Sequence, residues 1–459
     1  MSVPRLVLCG LEPGPAVALA AGAALSCLGD QRAVRPISIG LDVPLWRLLY
    51  AGAGRAPRVL DLALHDEDTV LELFDYWSEG SDLVVLTAVE PALDRWQGVR
   101  GSRAVDIASG LDAPLVLVVD ARDRGATAAA AVYGVRALAK RVEIAGVIVV
   151  GADEHAAGAE LGAVLRRDVG IPLLGWLPPQ LSEQFVRQYG SGGAAVRQIG
   201  PRPVKGLELR LCAEAGTYLK ADDLLEAATM RGFLPGRPRR LLTPTVAAAG
   251  LTLAVAWGPP LEPFALENVD VLQAMGVELA PVDLAHDRAL PAGASGLLIA
   301  GQLDEDELPA FAGNSELKAA IAATVEAGLP TLALGGGALL LLRRLADSRG
   351  RSHELAGVLP AEAELLEWYE RPRYVTARPG PGNPYVDGED TLYELFDLEF
   401  LVLEQGSFAF VVGDAGDPGQ TEGFVLGRLL ATTLYPSLPR RPSLAAAFVA
   451  EMRLTEARG

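Results

Sequence analysis

The chain has 459 residues, half of them hydrophobic, and a formal net charge of -18. A chain of this length folds into two or three globular domains, and its negative charge argues against a nucleic-acid or anionic-membrane surface. The three cysteines, Cys9, Cys27 and Cys212, are scattered, so the sequence suggests neither a disulfide framework nor a zinc site. An early apolar run at 16–28 is shorter than the ~20 residues that span a bilayer, and we expect a cytoplasmic protein.

The first half of the chain alternates short apolar runs with helical patterns. Strands are predicted at 5–9, 34–39, 59–62, 82–86, 114–119, 146–150 and 171–177, and helices at 15–28, 68–77, 128–140 and 155–168. A second alternation begins at Thr252, after a stretch that is rich in glycine, proline and alanine. We therefore predict an α/β protein with two doubly wound parallel-sheet domains, residues 1–190 and 246–459, and a linker region at 191–245 that contains one helix at 221–229.

The first strand leads into a glycine turn and a helix, GLEPGPAVALA, which is the arrangement of a phosphate-binding loop. Such a loop needs a lysine for the phosphates and a hydroxyl for magnesium, but Val17 and Ala18 fill those positions. No lysine precedes Lys140, and Glu12 places a negative charge where phosphate oxygens would lie. We expect no nucleotide cofactor at Gly10, Glu12, Gly14, Val17 and Ala18, and favour an ordinary strand-to-helix turn over an anion site of another kind.

A second strand–turn–helix stretch, PTLALGGGALLL, has the pattern of a nucleophile elbow with Gly335 at its tip. The helix is predicted to run over 338–345. Glutamine amidotransferases use a cysteine nucleophile with a histidine base, but no cysteine follows Cys212 and no histidine follows His353. A cysteine–histidine mechanism built from the second domain alone is therefore excluded, and a tight packing turn is favoured.

Other polar and aromatic positions are weaker candidates. Three arginines, Arg371, Arg373 and Arg378, could contact carboxylates of a ligand or partner, or could be solvated arginines on a loop. The four histidines lie far apart without metal-ligand spacing, so no metal site is expected.

The motifs together resemble the cobyrinic acid a,c-diamide synthase family. Its members have a dethiobiotin synthetase-like, P-loop-containing first domain that activates a carboxylate with ATP, and a class I glutamine amidotransferase-like second domain that supplies ammonia. In this chain PTLALGGGALLL resembles "P.YAECGGLMYL", DGEDTLYE resembles "GHEFHYS", and GFVLGRLLATTLYPSL resembles the closing "G…GN..ASYLH.H". In the first half GLEPGPAVA resembles "GTSSGVGKT" and GSRAVDIA resembles "GSTADLA".

The resemblance implies where the family's chemistry is missing. Gly335 stands at the nucleophilic cysteine, Tyr435 at the triad histidine, and Glu389 and Leu392 at two further histidines, whereas Tyr393 is retained. In the first domain Thr87 replaces a glutamate that would serve the metal and Val150 replaces an asparagine near the base. Asp42 and Asp94 remain at matching positions, and both are kept with Tyr393 as ligand or partner candidates.

Three hypotheses follow from this pattern. The leading one is a pseudoenzyme that acts by binding a corrinoid, a tetrapyrrole-like ligand or a protein partner. The second is a structural or regulatory subunit without a small ligand, whose charge of -18 would suit a basic partner. The third is an atypical ATP-dependent amidoligase of corrinoid biosynthesis that draws on free ammonia. A homo-oligomer is left open.

Overall fold

A computed structural model gives the fold of the protein and shows two compact units, residues 1–238 and 239–459. The structure describes residues 3–12, 14–40, 42–95, 103–122, 124–181, 183–184, 206–234, 240–242, 248–262, 266–402, 407–413 and 419–456. Within these ranges no helix is long and apolar enough to cross a membrane.

The first unit is built on a seven-stranded sheet in the order β3-β2-β4-β1-β5-β6-β7, and its strand pairs are parallel. Its strands are β1 Arg5–Gly10, β2 Val34–Ile39, β3 Arg58–Leu60, β4 Leu83–Pro91, β5 Leu115–Asp120, β6 Ile144–Val150 and β7 Leu173–Leu177. The central strands are buried on both faces, which explains their continuous apolar sequences. The predicted doubly wound sheet is confirmed.

Helices follow most strands of this sheet. They are α1 Pro15–Gly29, α2 Val43–Ala53, α3 Glu67–Ser78, α4 Ala104–Gly110, α5 Ala128–Leu138, α6 Leu207–Gly216 and α7 Ala221–Thr229. Between β6 and β7 the chain forms π-helical segments at His155–Leu161 and Leu165–Val169 around a short α-helical turn at Gly162–Val164. Side chains from α1, α2, α6 and α7 share one core with β1, β4 and β5.

The structure differs from the predicted linker at 191–245. Helices α6 and α7 lie within that range, and Leu211, Cys212, Ala215 and Leu224 are buried in the core of the first unit. The unit boundary at residues 238 and 239 lies near the end of the predicted linker. The predicted helix at 221–229 is present as α7, whereas the glycines and prolines around α6 obscured that helix in the sequence; both helices bury apolar side chains in the core of the first unit. Residues 191–205, 235–239 and 243–245 of the predicted linker lie outside the described residues.

The second unit contains two sheets. The first has the order β10-β8-β11-β12-β20-β19, and its strands are parallel except for β19, which runs antiparallel to β20. These strands are β8 Thr252–Trp257, β9 Leu261–Glu262, β10 Glu278–Asp283, β11 Gly296–Leu303, β12 Thr331–Gly335, β19 Phe424–Leu426 and β20 Leu429–Thr432. The short β9 pairs antiparallel with β11. The second predicted α/β unit is also confirmed.

The second sheet of this unit is dominated by a long two-stranded ribbon of β15 and β16. Its strands are β13 Arg344–Ala346, β14 Ser352–Glu354, β15 Ala361–Pro379, β16 Asp390–Val402, β17 Phe410–Val412, β18 Gln420–Glu422 and β21 Leu434–Tyr435. The helices of the unit are α8 Leu266–Ala274, α9 Leu308–Gly313, α10 Ser315–Glu326, α11 Gly336–Leu339 and α12 Pro442–Glu456, with a 3-10 turn at Glu305–Glu307.

Candidate functional site

The turn between β12 and α11 has the backbone of a nucleophile elbow. Gly335 adopts φ 60° and ψ -128°, a conformation that is costly for residues with a β-carbon. The helix that follows is shorter than predicted, because α11 ends at Leu339 and the chain turns into β13 at Arg344. The strained backbone of an elbow is therefore present, and its tip carries no side chain.

The next two glycines are required by close contact with β11. A β-carbon built on Gly336 would lie 2.7 Å from the backbone nitrogen of Leu303. One built on Gly337 would lie 1.9 Å from the carbonyl oxygen of Ile299. These distances are far below normal contact, so the glycine run lets α11 pack directly on the backbone of β11.

Tyr435 occupies the space beside the tip of the elbow. A β-carbon built on Gly335 would lie 3.0 Å from Cδ2 of Tyr435 and 3.3 Å from its Cε2. The tyrosine is only 2% exposed and comes from β21, which pairs with β16 through Tyr393. Burial, together with the nearby Glu267 carboxylate, raises the pKa of Tyr435 well above its usual value. The structure thus brings Gly335 and Tyr435 together, with an uncharged phenol beside the glycine.

The other matched positions of the second unit contribute less to this site. Leu392 is buried and pairs with Val375 on β15, whereas Glu389 is exposed before β16 and its carbonyl oxygen accepts a hydrogen bond from Arg441. The backbone of Tyr393 pairs with Tyr435. Glu389 therefore lies at the surface, whereas Leu392 lies in the interior of the second unit.

A half-buried glutamate near the elbow was not among the residues that the sequence indicated. Glu422 accepts hydrogen bonds from the Thr432 hydroxyl at 2.5 Å, the Thr433 nitrogen at 2.7 Å and the Thr433 hydroxyl at 2.8 Å. Thr432 pairs with Leu334, the residue before Gly335. Burial is the largest influence and raises the pKa of Glu422, the threonine hydrogen bonds oppose it, and the Glu394 carboxylate adds to the increase. The adjacent threonines at the end of a strand were the available clue.

The first glycine turn folds tightly onto itself. A β-carbon built on Gly10 would lie 2.5 Å from the Glu12 carbonyl oxygen and 2.9 Å from Cγ2 of Val17. Val17 and Ala18 are 1% and 2% exposed and belong to the hydrophobic core. Gly14 precedes α1 with a φ of 152°, and no side chain caps that helix. The side chains of Val17 and Ala18, at the positions of the family's lysine and hydroxyl, thus point into the protein interior.

Two arginines after β5, which the sequence did not single out, lie at this end of the sheet. Arg124 forms an ion pair with Glu12, and Arg122 binds Asp120 through two contacts of 3.0 Å and 2.5 Å. A β-carbon built on Gly151, next to Val150, would lie 2.5 Å from Cγ of Arg122. The chain's own side chains thus form an ion pair at the first glycine turn and pack beside Gly151. The motif DARDR directly after a buried strand was the available clue.

The candidate acids of the first unit have different environments. Asp42 is 9% exposed and caps α2, where its Oδ1 accepts a hydrogen bond from the Leu45 nitrogen at 2.8 Å. Asp94 is exposed just after β4. Thr87, at the position of the family's glutamate, is fully buried, and its hydroxyl has no hydrogen-bond partner among the described residues.

Comparison with known proteins identifies the family. A family profile described as the CobB/CobQ-like glutamine amidotransferase domain matches residues 252–378. A hydrogenobyrinate a,c-diamide synthase of Streptomyces coelicolor is 30% identical over 409 residues, which cover 79% of this chain and 80% of that protein. The chain belongs to the cobyrinate and hydrogenobyrinate a,c-diamide synthase family. The resemblance carried by the sequence motifs is confirmed.

The similarity to this family extends over nearly the whole chain. A solved glutamine amidotransferase aligns with 44% of this chain and 100% of its own at a TM-score of 0.34 and 17% identity. A cobyrinate a,c-diamide synthase of Dehalococcoides mccartyi is 24% identical over 458 residues, 98% of either chain. Because that sequence alignment covers both units, each unit has a counterpart in the diamide synthase family.

The arginine candidates of this family member lie on a strand and not on a loop. Arg371, Arg373 and Arg378 all belong to β15. Arg373 is exposed, with its Nη1 4.0 Å from Oε2 of Glu394, and Arg378 is half-buried. Because side chains alternate along a strand, Arg373 and Arg378 point to opposite faces of the ribbon. Arg373 and Arg378 therefore do not belong to one carboxylate-binding cluster.

Metal-ligating side chains are dispersed in the described part of this family member. No group of three or more histidine, cysteine, aspartate or glutamate side chains there could hold a metal ion. The family's resemblance implies bound magnesium and ATP, but Val17, Ala18 and Thr87 provide neither a phosphate lysine nor a carboxylate ligand. The residues present therefore do not fit magnesium and ATP bound in the way that the resemblance implies for this family.

Proposed function

We propose that this protein is a non-catalytic member of the diamide synthase family that acts by binding a ligand or a protein partner. The observation that carries the proposal is the contact between Gly335 and the buried ring of Tyr435. A thioester-forming cysteine needs a free thiolate and a nearby base. Here the nucleophile position lacks a side chain, and the place of the base holds a phenol whose pKa is strongly raised.

The first unit supports the same proposal. The Val17 side chain packs in the core, and the Glu12 carboxylate lies in the phosphate turn, where it pairs with Arg124. Binding a nucleotide in the family's manner would require an anionic ligand beside this carboxylate, without a lysine to balance the charge. We therefore expect neither ATP hydrolysis nor glutamine hydrolysis.

The decisive experiment is a glutaminase assay of the purified protein beside an active family member. We expect no glutamate release from the native chain or from Gly335→Cys, because Tyr435 remains against the introduced thiol. The double variant Gly335→Cys with Tyr435→His tests whether removing the phenol is sufficient. Glutamate release by the native chain at a rate comparable with the active relative would refute the proposal.

The second candidate function is an ATP-dependent amidoligase that uses free ammonia. It is favoured by the similarity over 98% of the chain to a protein named cobyrinate a,c-diamide synthase, and the comparisons support it more directly than they support a loss of activity. The test is incubation with cobyrinate, Mg-ATP and ammonium, followed by mass spectrometry. Formation of a diamide with release of ADP would establish this function and reject the first proposal.

A third candidate is a structural or regulatory subunit that binds only protein. Its support is the net charge of -18, which would complement a basic partner. A thermal-shift screen with Mg-ATP, glutamine and corrinoids separates it from the others, since a ligand at about 100 times its dissociation constant stabilises a protein by ~2.7 kcal/mol. A shift with a corrinoid alone would favour the ligand-binding proposal over a purely structural subunit.

A further inference from the structure

A groove of about 1000 Å³ runs along α4 in the first unit. One wall is the segment from Leu62 to Leu71, which joins β3 to the first turns of α3. The turn from Leu138 to Val142, between α5 and β6, also lines the groove. None of the described residues of the β1–α1 turn lines this groove, so it is separate from the matched phosphate loop.

Positive charges stand at both ends of the groove. Arg95 follows β4 and lies at the carboxyl edge of the parallel sheet, whereas Lys140 and Arg141 precede β6 at the amino edge. All three are exposed, and no carboxylate in the described part of the chain lies within ion-pair distance of them. Unpaired cations at two separated positions stand out in a protein of net charge -18.

The middle of the groove has a different character. Arg103 is held there by Asp106, with contacts of 2.7 Å and 2.5 Å, so its charge is already balanced. Asp66 is engaged as the N-cap of α3 through the Thr69 nitrogen. The remaining wall is mixed, because Val70, Leu71 and Ile107 are apolar and the exposed Glu67 adds a carboxylate. A ligand that fits this lining carries no negative charge in its middle and has its anionic groups at the ends.

We infer that the groove binds an elongated small molecule with anionic groups at both ends. The seven residues of α4 give a helix of about 10 Å, which sets the smallest spacing of the two anionic groups. Arg95 would contact one group, and Lys140 with Arg141 the other. This inference rests on the proposed binding function and names a site and a ligand class for it.

The experiment is a calorimetric titration of the full chain with linear dicarboxylates of increasing length, from succinate to dodecanedioate. The affinity should peak at a chain length that spans the groove, and the monocarboxylate of that length should bind at least about fivefold more weakly. Arg95→Glu, or Lys140→Glu combined with Arg141→Glu, should each weaken binding by about fivefold to tenfold.

Arg166→Glu is the matched control, because Arg166 is exposed on the first unit and does not line the groove. It should leave the affinity unchanged. Absence of binding by every dicarboxylate, equal binding of the monocarboxylate, or equal weakening by the control would overturn the inference. These results are independent of the glutaminase assay, so a failure here is distinguishable from a failure of the proposed function.

Discussion

The ring of Tyr435 and the bare backbone of Gly335 fit against each other in the second unit. A β-carbon at the glycine would lie 3.0 Å from Cδ2 of the ring, and the glycine φ of 60° is itself unfavourable for other residues. Two independent costs therefore oppose any side chain at this position. Restoration of a nucleophile would require a change at both residues.

The first prediction concerns that pair. Gly335→Ala should lower the free energy of unfolding by about 2–4 kcal/mol, from backbone strain and from the contact with Tyr435. Gly328→Ala is the control, because Gly328 also has a positive φ, 87°, but no atom lies within 4 Å of a built β-carbon. It should cost only about 1–2 kcal/mol. Equal losses in urea denaturation would show that Tyr435 does not restrict the position.

The second prediction concerns the crossing of α1 and α2. A β-carbon on Gly52 would lie 2.4 Å from the Gly22 carbonyl oxygen, so Gly52→Ala must push the two helices apart. We expect a loss of about 2–3 kcal/mol in the free energy of unfolding. Gly29→Ala, at the end of α1 with open space around it, should be neutral or stabilising by up to ~1 kcal/mol. A stable Gly52→Ala protein would contradict the close packing.

The third prediction concerns Arg5, which is fully buried at the start of β1. Its guanidinium donates hydrogen bonds to four carbonyl oxygens, those of Val3, Leu111, Asp112 and Gly232, at 2.6–3.2 Å. Arg5→Met keeps most of the volume but leaves these acceptors without their donor, and should destabilise the protein by about 3 kcal/mol. Chemical denaturation measures the loss. The exposed Arg166→Met should show almost none, and equal midpoints for the two variants would contradict the role of Arg5.

The fourth prediction is a dependence of stability on acid pH through Asp347. Burial opposes ionisation of this carboxylate, but contacts with His353 at 3.0 Å and Arg351 at 2.7 Å outweigh it, so the pKa of Asp347 lies below its usual value. A depressed folded-state pKa contributes stability that is complete above the unfolded value and is lost as the pH falls through the folded value. The free energy of unfolding should therefore fall below about pH 4.

Asp347→Asn tests this dependence. At pH 7 it should cost about 2–3 kcal/mol, because the contacts with Arg351 and His353 lose their anionic partner, and the decline below about pH 4 should become shallower. Asp168→Asn is the control, since Asp168 is exposed and pairs only with its neighbour Arg167 in the described structure. An unchanged acid slope in Asp347→Asn would contradict the assignment to Asp347.

Local sequence patterns were sufficient for most of the architecture. Continuous apolar runs such as Arg5–Gly10 and Gly296–Leu303 are buried parallel strands, because a central strand presents apolar side chains to both faces. The glycine run at Gly335 also predicted an elbow turn. The sequence also shows that no cysteine follows Cys212, no histidine follows His353 and no lysine precedes Lys140, and the resemblance implies which family positions lack these residues.

The tertiary structure decided what fills the places of those residues. The ring of Tyr435 reaches Gly335 across 100 positions of sequence, and Arg122 reaches Gly151 from another strand end. Helix α6 and the predicted helix α7 both lie in the predicted linker region, and the structure packs them into the first core through contacts with the distant α1. The periodicity of strands and helices is a local property of the sequence. Which side chain occupies a site depends on contacts between segments that are far apart in the chain, and no local pattern in one sequence records those contacts.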